Sequence, residues 1–302
     1  MSVAILIPCH NEAPAIQRVI RDFQAVLPEA EIHVCDNGST DGTGALAHAA
    51  GARVWQEPAL GKGRAVRRLF RAVEADWYFL VDGDGTYSAE IAPDLLKLGR
   101  DSGYDFVTGI RVPVESACWR TGHAFGNRLL TGLVQRLFGQ HSSDLLSGYR
   151  LLSRRFAQSF PLLSNGFDVE TEMVIHALDL GLPNAETPGS YHARPEGSTS
   201  KLSTWRDGWR ILKLILRLIR HEHPLPFFLG LATFWAALSF AWGSQVILYF
   251  EQTGQVPRLP TAILAASCGL LAIQSLFAGL ILDTVTRGRK ERKRLAFLAG
   301  SK

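Results

Sequence analysis

Apolar and polar positions in the first two hundred residues switch between two periods. Val3–Ile7, Glu31–Cys35, Ala52–Gln56, Trp77–Val81 and Asp105–Thr108 read as strands. Between them, Ala15–Leu27, a stretch near Gly42–Ala50, Lys62–Ala75 and Ala89–Asp101 carry apolar residues at helical spacing. This alternation predicts an α/β domain over residues 1–200, with a mostly parallel sheet covered by helices. Right-handed crossovers put the carboxyl ends of such strands, and the loops after them, on one rim.

The pattern changes after Lys201. Trp205, Trp209, Leu212, Leu216 and Ile219 recur at helical spacing, and Arg206, Arg210, Lys213, Arg217 and Arg220 follow one residue behind. At about 100° per residue the cations fill a stripe roughly 80° wide. A basic amphipathic helix with tryptophans, here over 201–223, suits a membrane interface. Leu225–Phe250 and Leu259–Leu282 contain no charged residue. Spans of that length cover the roughly 30 Å hydrocarbon core, so residues 224–283 predict a transmembrane hairpin joined by Glu251–Arg258. Arg287, Arg289, Lys290, Arg292, Lys293 and Arg294 open a basic tail over 284–302. The positive-inside rule then puts both ends of the hairpin in the cytoplasm.

Composition adds little to this picture. The 302 residues carry a formal net charge of +4. The cations concentrate late, beside apolar runs, which points to the anionic surface of a lipid bilayer and to no nucleic acid partner. Cys9, Cys35, Cys118 and Cys268 lack metal spacing and read as reduced thiols. The chain opens directly on a strand, so a cleaved signal is not expected.

The candidate chemistry sits after the strands. Asp82 and Asp84 flank Gly83 at the carboxyl end of Trp77–Val81, where ligands of open α/β sheets bind. Two clustered carboxylates suit Mg²⁺ or Mn²⁺, which take one or two such ligands plus substrate phosphates. Asp36–Thr43 follows the second strand and is either a ribose- or base-binding loop or a cap for the next helix. Gly61–Lys62–Gly63–Arg64 opens a helix, where phosphate is favoured, without Walker A spacing. Glu170 and Glu172 cannot share a helical face, so one positions a substrate and the other is solvated. Asp144 is either a positioning carboxylate or a local cap, and Arg111 and Arg128 read as surface cations or phosphate ligands. His10, His123, His141, His176 and His192 read as structural, and His221 and His223 as interfacial.

Pro8 with Asn11–Glu12, Asp36–Thr43, Gly61–Lys62–Gly63 and Asp82–Gly83–Asp84 resemble, in order and spacing, a family 2 glycosyltransferase of the GT-A fold. Asp144–Arg150, Phe167–Glu172 and Arg194–Lys201 resemble the polyprenyl-phosphate glycosyltransferases, a group that includes dolichol-phosphate mannose synthase. The resemblance covers roughly residues 1–220. It implies a donor site of Pro8, Glu12, Asp36, Lys62 and Asp82, and a metal held by Asp84 and Asp82. Asp82, Asp84 and Arg194 would be the catalytic set. Arg194, Ser200 and Lys201 match the motif that would receive the acceptor phosphate; Arg128 is a further candidate for that phosphate, and Asp144 and Glu170 stay candidates for positioning, on their residue types alone. Where mannose synthases often carry a metal-binding Gln, this chain has Thr86, a weaker ligand.

The expectation is a membrane-bound enzyme of the bacterial inner membrane. It would move a sugar from a nucleotide-sugar donor to undecaprenyl or dolichyl phosphate at the cytoplasmic face, with Mg²⁺ or Mn²⁺ and with inversion. A homo-oligomer is compatible with it. One rival is transfer to a neutral lipid such as diacylglycerol or ceramide, which needs a base from Asp144 or Glu170. The other is a non-catalytic nucleotide-sugar-binding scaffold, against which the intact Asp82 and Asp84 speak.

Overall fold

The computed structural model describes residues 1–114, 143–166, 169–194 and 222–300, together with Gly132 and Arg220. Arg128, Ser200, Lys201 and the stretch 201–219 lie outside the described residues. The chain divides into two compact units, residues 1–211 with 293–302, and residues 212–292.

In the first unit, seven strands form one sheet: β1 Val3–Cys9, β2 Glu31–Asp36, β3 Arg53–Gln56, β4 Trp77–Leu80, β5 Phe106–Pro113, β6 Arg150–Ser153 and β7 Ala185–Tyr191. Their order is β3-β2-β1-β4-β6-β5-β7. β1 to β4 are mutually parallel and β5 is parallel to β7, while β6 runs antiparallel to both β4 and β5. The helices of this unit are α1 Ala13–Val26, α2 Thr43–Ala49, α3 Lys62–Ala72, α4 Ala92–Ser102, α5 Arg154–Ser159 and α6 Val169–Leu180, with a 3₁₀ turn at Ala89–Ile91. The sheet is therefore mostly parallel, as the alternation predicts.

Local chemistry explains the elements. α1 has a proline in its first turn and buries Ala15, Ile16, Val19, Ile20 and Phe23, a single stripe at helical spacing. Ile5 and Ile7 of β1 join that stripe, with Ile32, Val34, Phe79, Leu95 and Leu151, in one continuous core. Alternation puts the equally buried Ala4 and Leu6 on the other face of β1. Each fully buried Ile, Leu or Phe here contributes about 1.5–3 kcal/mol.

The second unit holds α7, Pro224–Thr253, and most of α8, Leu259–Ala299. Both are long and apolar enough to cross a membrane, and little of their surface is covered by protein. Gly254, with φ 66°, ends α7 in the left-handed conformation. Small buried side chains on α8, Ala265, Cys268, Ala272 and Ser275, recur at alternating steps of three and four. That is the spacing of a helix–helix seam. The Ser239 hydroxyl donates to the Ala265 carbonyl at 2.8 Å across it. The buried Glu222, just before α7, receives the partly exposed Arg289 at 2.7 Å and Lys290 at 3.5 Å from the later part of α8.

Candidate active site

Parallel strands deliver one set of residues to a single rim. β1 ends at Cys9 opposite Asp36 of β2, and β4 ends at Leu80, just before Asp82 and Asp84. Antiparallel β6 contributes its start instead. Arg150 pairs with Leu80, so the segment Asp144–Gly148 before it reaches the same rim. There a cavity of about 320 Å³ is lined by Pro8, His10, Glu12, Asn37, Lys62, Asp82, Asp84 and Arg194, among others.

Each carboxylate of the Asp82/Asp84 pair carries a cation. The Lys62 ammonium pairs with Asp82 and with Glu170 at once, and all three side chains are largely shielded from solvent. Burial works against the ammonium, but the Asp82 and Glu170 charges outweigh it, and the Lys62 pKa is raised. Asp84 is 4 % exposed. Its Oδ1 accepts from the Thr86 hydroxyl at 2.6 Å and the Thr86 amide at 3.1 Å, while Arg194 Nη2 sits 2.7 Å from Oδ2. Thr86 thus orients the carboxylate, a role its weakness as a metal ligand does not reveal in the sequence.

Gly148 lets Asp82 take this position. A Cβ there would lie 2.3 Å from Asp82 Oδ2. Gly61 has φ 143°, and a Cβ on it would meet the Asn165 carbonyl oxygen at 2.1 Å. The Gly63 amide donates to the Gly166 carbonyl at 3.2 Å. One of the first amides of α3 is therefore already used, and Lys62 itself brings the positive charge to the cavity. Glu172 is not the solvated carboxylate expected of it: it accepts the Leu163 and Ser164 amides at 2.8 and 3.0 Å, fixing the loop that covers the start of α3.

The Asp36–Thr43 loop divides its tasks. Asp41 caps, accepting the Ala13 amide at 3.0 Å with one oxygen and the Thr43 amide at 3.0 Å with the other. Asp36, 7 % exposed, accepts the Ser39 amide at 2.9 Å and lies one residue before the cavity wall at Asn37. Asn37 is the residue the sequence reading missed. Its amide donates to the Glu57 and Ala59 carbonyls, both at 2.8 Å, and its Oδ1 accepts the Gly61 amide at 2.7 Å. One side chain thus ties the second loop to the third; an Asn in a turn-forming run gives no signal of such reach. Glu12 and Pro8 line the cavity, with the Glu12 amide donating to the Thr43 hydroxyl at 2.9 Å.

Asp144 and Arg111 form a bidentate pair, Nε to Oδ2 at 2.7 Å and Nη2 to Oδ1 at 2.6 Å. Burial raises the Asp144 pKa, but the Arg111 hydrogen bonds and charge hold it below the usual carboxylate range. Arg111 is accordingly no free surface cation; it also lies 5.6 Å from the centre of the Tyr191 ring. Among the described residues no group of three or more His, Cys, Asp or Glu side chains closes on a metal. Asp82 and Asp84 alone fit Mg²⁺ or Mn²⁺ that takes its remaining ligands from a diphosphate and water. Charge agrees with this: three lining carboxylates, Glu12, Asp82 and Asp84, face two cations, Lys62 and Arg194.

Residues 4–160 match the profile described as Glycosyl transferase family 2. The chain belongs to glycosyltransferase family 2. Glycosyltransferase AglJ of Haloferax volcanii is 34 % identical over 300 residues, 97 % of each chain. The dolichyl-phosphate hexose transferase of the same organism is 29 % identical over 220 residues, 73 % of this chain and 95 % of its own. Among solved structures, glucosyl-3-phosphoglycerate synthase of Mycobacterium tuberculosis superposes with a TM-score of 0.59 at 25 % identity, over 72 % of this chain and 78 % of that one. That structure contains Mn²⁺, UDP-glucose and phosphoglyceric acid, and another of the same enzyme holds Mg²⁺ and UDP. The family 2 assignment and the GT-A-like sheet make the rim cavity the place to look for a nucleotide-sugar.

Proposed function

We propose that this family 2 glycosyltransferase moves a sugar from a nucleotide-sugar to a polyprenyl phosphate at the cytoplasmic face of a membrane, the inner membrane in a bacterium. The observation that carries the reading is the rim cavity, where Asp82, Asp84, Lys62 and Arg194 converge. Two apolar helices after the catalytic unit, and a dolichyl-phosphate hexose transferase among the relatives, support a lipid-linked acceptor. Asp84 and Asp82 would hold Mg²⁺ or Mn²⁺, which when bound supplies positive charge against the departing diphosphate.

The remaining work falls to the chain's own residues. Asn37 would hold the donor loops in place, with Pro8, Glu12 and Asp36 around the nucleoside. Lys62, kept charged by Asp82 and Glu170, would face the diphosphate. A phosphate oxygen of the acceptor forms the bond to the anomeric carbon as the bond from that carbon to the donor diphosphate breaks. The nucleoside diphosphate leaves, and the family resemblance implies inversion. A phosphate monoester has its second pKa near ~6, so this oxygen is already anionic at neutral pH. It needs positioning more than a base. Glu170 and Asp144, the base candidates for a neutral-lipid acceptor, are each engaged by a cation, Lys62 and Arg111. That pairing favours the anionic acceptor. Ser200 and Lys201, from the Arg194–Lys201 motif, and Arg128, from its residue type alone, complete the proposed acceptor site.

The test is a donor screen on the purified full chain with undecaprenyl phosphate and dolichyl phosphate. Mass analysis should find a hexosyl-phosphoryl lipid, absent with Asp84→Asn or with excess chelator. Transfer to diacylglycerol with none to either phosphate would overturn the acceptor assignment.

A further inference from the structure

The two cations on the carboxylate pair are not held alike. Lys62 is shared between Asp82 and Glu170, and Glu170 is buried deep beside it. Arg194 has Asp84 as its one ion-pair partner among the described residues. Its side chain is 33 % exposed, while the Asp84 carboxylate beneath it is 6 % exposed. Thr86 occupies the other oxygen of Asp84. The Arg194 guanidinium therefore covers the one Asp84 oxygen that a metal ion would take.

We infer that Arg194 is a resident counter-ion of Asp84, which a divalent cation must displace. The inference rests on the proposed metal-dependent reading and adds a competitor to it. A buried carboxylate without a partner is costly, so the free enzyme gains from the guanidinium. A divalent cation on the same oxygen would meet a positive charge a few ångströms away, so the two exclude one another. When Asp82 turns to a metal, Lys62 keeps Glu170. Arg194 keeps nothing comparable, and its side chain, one-third exposed, is free to leave. The displaced guanidinium then becomes available to a phosphate group, either of the donor diphosphate or of the acceptor. Metal loading and the arrival of a cation for phosphate are thereby one event.

The experiment titrates Mn²⁺ alone into the full chain in detergent and follows free Mn²⁺ by electron paramagnetic resonance. Wild type, Arg194→Gln, Arg194→Lys and Arg194→Gln/Asp84→Asn are compared. Removing a competitor with the strength of a modest ion pair should tighten Mn²⁺ binding by about fivefold or more in Arg194→Gln. Arg194→Lys, which keeps a charge, should stay within about twofold of wild type, and the double variant should lose the gain. Equal or weaker Mn²⁺ binding by Arg194→Gln overturns the inference, as does a gain that survives Asp84→Asn. Repeating the wild-type titration with UDP and with GDP separates the two levels. If neither nucleotide strengthens Mn²⁺ binding, the metal–nucleotide reading itself fails; if one does and Arg194→Gln shows no gain, only the counter-ion role fails. Adding inorganic pyrophosphate or a short-chain prenyl phosphate to the Mn²⁺-loaded wild type then identifies which phosphate Arg194 serves, by which affinity falls in Arg194→Gln.

Discussion

At the scale of single residues, the site depends on atoms that are missing as much as on charges that are present. Gly148 leaves Asp82 its place, with the nearest carboxylate oxygen 2.3 Å from where a Cβ would be. A Gly148→Ala variant must push Asp82 off Lys62 or shift the start of β6. Sugar transfer should fall by about a hundredfold, the scale that a misplacement near 1 Å produces. The melting temperature should drop by only a few degrees, and activity near wild type would show that Asp82 needs no such approach. Lys62 makes the complementary case. Lys62→Met leaves Glu170 buried without its counter-charge, a loss of about 3 kcal/mol or more. Lys62→Met/Glu170→Gln removes both charges and should recover much of that stability in thermal unfolding. Donor affinity should not recover, because the cation facing the cavity is still gone. Recovery of both would make Lys62 a purely structural residue.

At the scale of elements, α6 carries a consequence for pH. His176 is 1 % exposed, its Nε2 2.9 Å from the Ser159 hydroxyl, with Phe156 and Phe160 against the ring. Burial, helped by the Lys293 charge and opposed by Asp179, lowers its pKa from 6.5 to about 3. Between those values the unfolded chain binds a proton that the folded chain does not. Stability therefore rises with pH across this window and is lost as pH falls through it, by about 2 kcal/mol at pH 5. His176→Gln keeps a hydrogen-bonding group that never charges. Its melting temperature should fall less between pH 7.5 and pH 5 than that of wild type; equal slopes would locate the acid sensitivity elsewhere.

The same scale shows what was legible in the chain. The parallel half of the sheet, β1 to β4, follows from period and length, and Glu12, Asp36, Asp82 and Asp84 could be named from the loops at its strand ends. β6 was not legible as a strand. It is four residues long and begins with Arg150, which is fully buried. Arg150 donates to the Thr108 hydroxyl at 2.8 Å and the Leu145 carbonyl at 2.9 Å, and lies 5.0 Å from the centre of the Phe106 ring. Those partners are distant in sequence or belong to a loop, so no local pattern announces a buried arginine. β7 hides for a similar reason: Pro188 and Gly189 interrupt any alternation, and the strand exists because β5 pairs with it along its whole length. The helix starting at Ala89 begins as a 3₁₀ turn capped by Ser88, whose hydroxyl accepts the Glu90 amide at 3.3 Å. The sequence reading therefore names Pro8, Glu12, Lys62, Asp82, Asp84 and Arg194, which line the rim cavity, and misses Asn37 and β6, because tertiary pairing alone defines them.

At the scale of the whole molecule, the chain leaves the catalytic unit once and returns to it. Residues 293–302, the end of α8 and beyond, cluster with residues 1–211. Lys293 reaches the buried Asp179 at 2.8 Å, and Phe297, 7 % exposed, lies under Arg155 with the guanidinium 4.7 Å from the ring centre. Arg155 in turn grips Asp105 through both nitrogens of its fork. If α7 and α8 each cross the bilayer, two crossings bring the chain back to the side it left, which is what these contacts require. By the positive-inside rule the cations from Arg287 to Arg294 would put that side in the cytoplasm, which the proposed function requires. Two outcomes follow together. Phe297→Ala should destabilise the catalytic unit by about 3 kcal/mol, the scale of a buried phenylalanine, and lower its melting temperature although the residue lies far along the chain from the rim. Gly254→Cys, between the two helices, should react with a membrane-impermeant maleimide in intact cells, with the wild-type chain as blank. Reaction at Gly254→Cys only after lysis, with Phe297→Ala still destabilising, would keep the C-terminal segment on the catalytic unit and remove the two crossings.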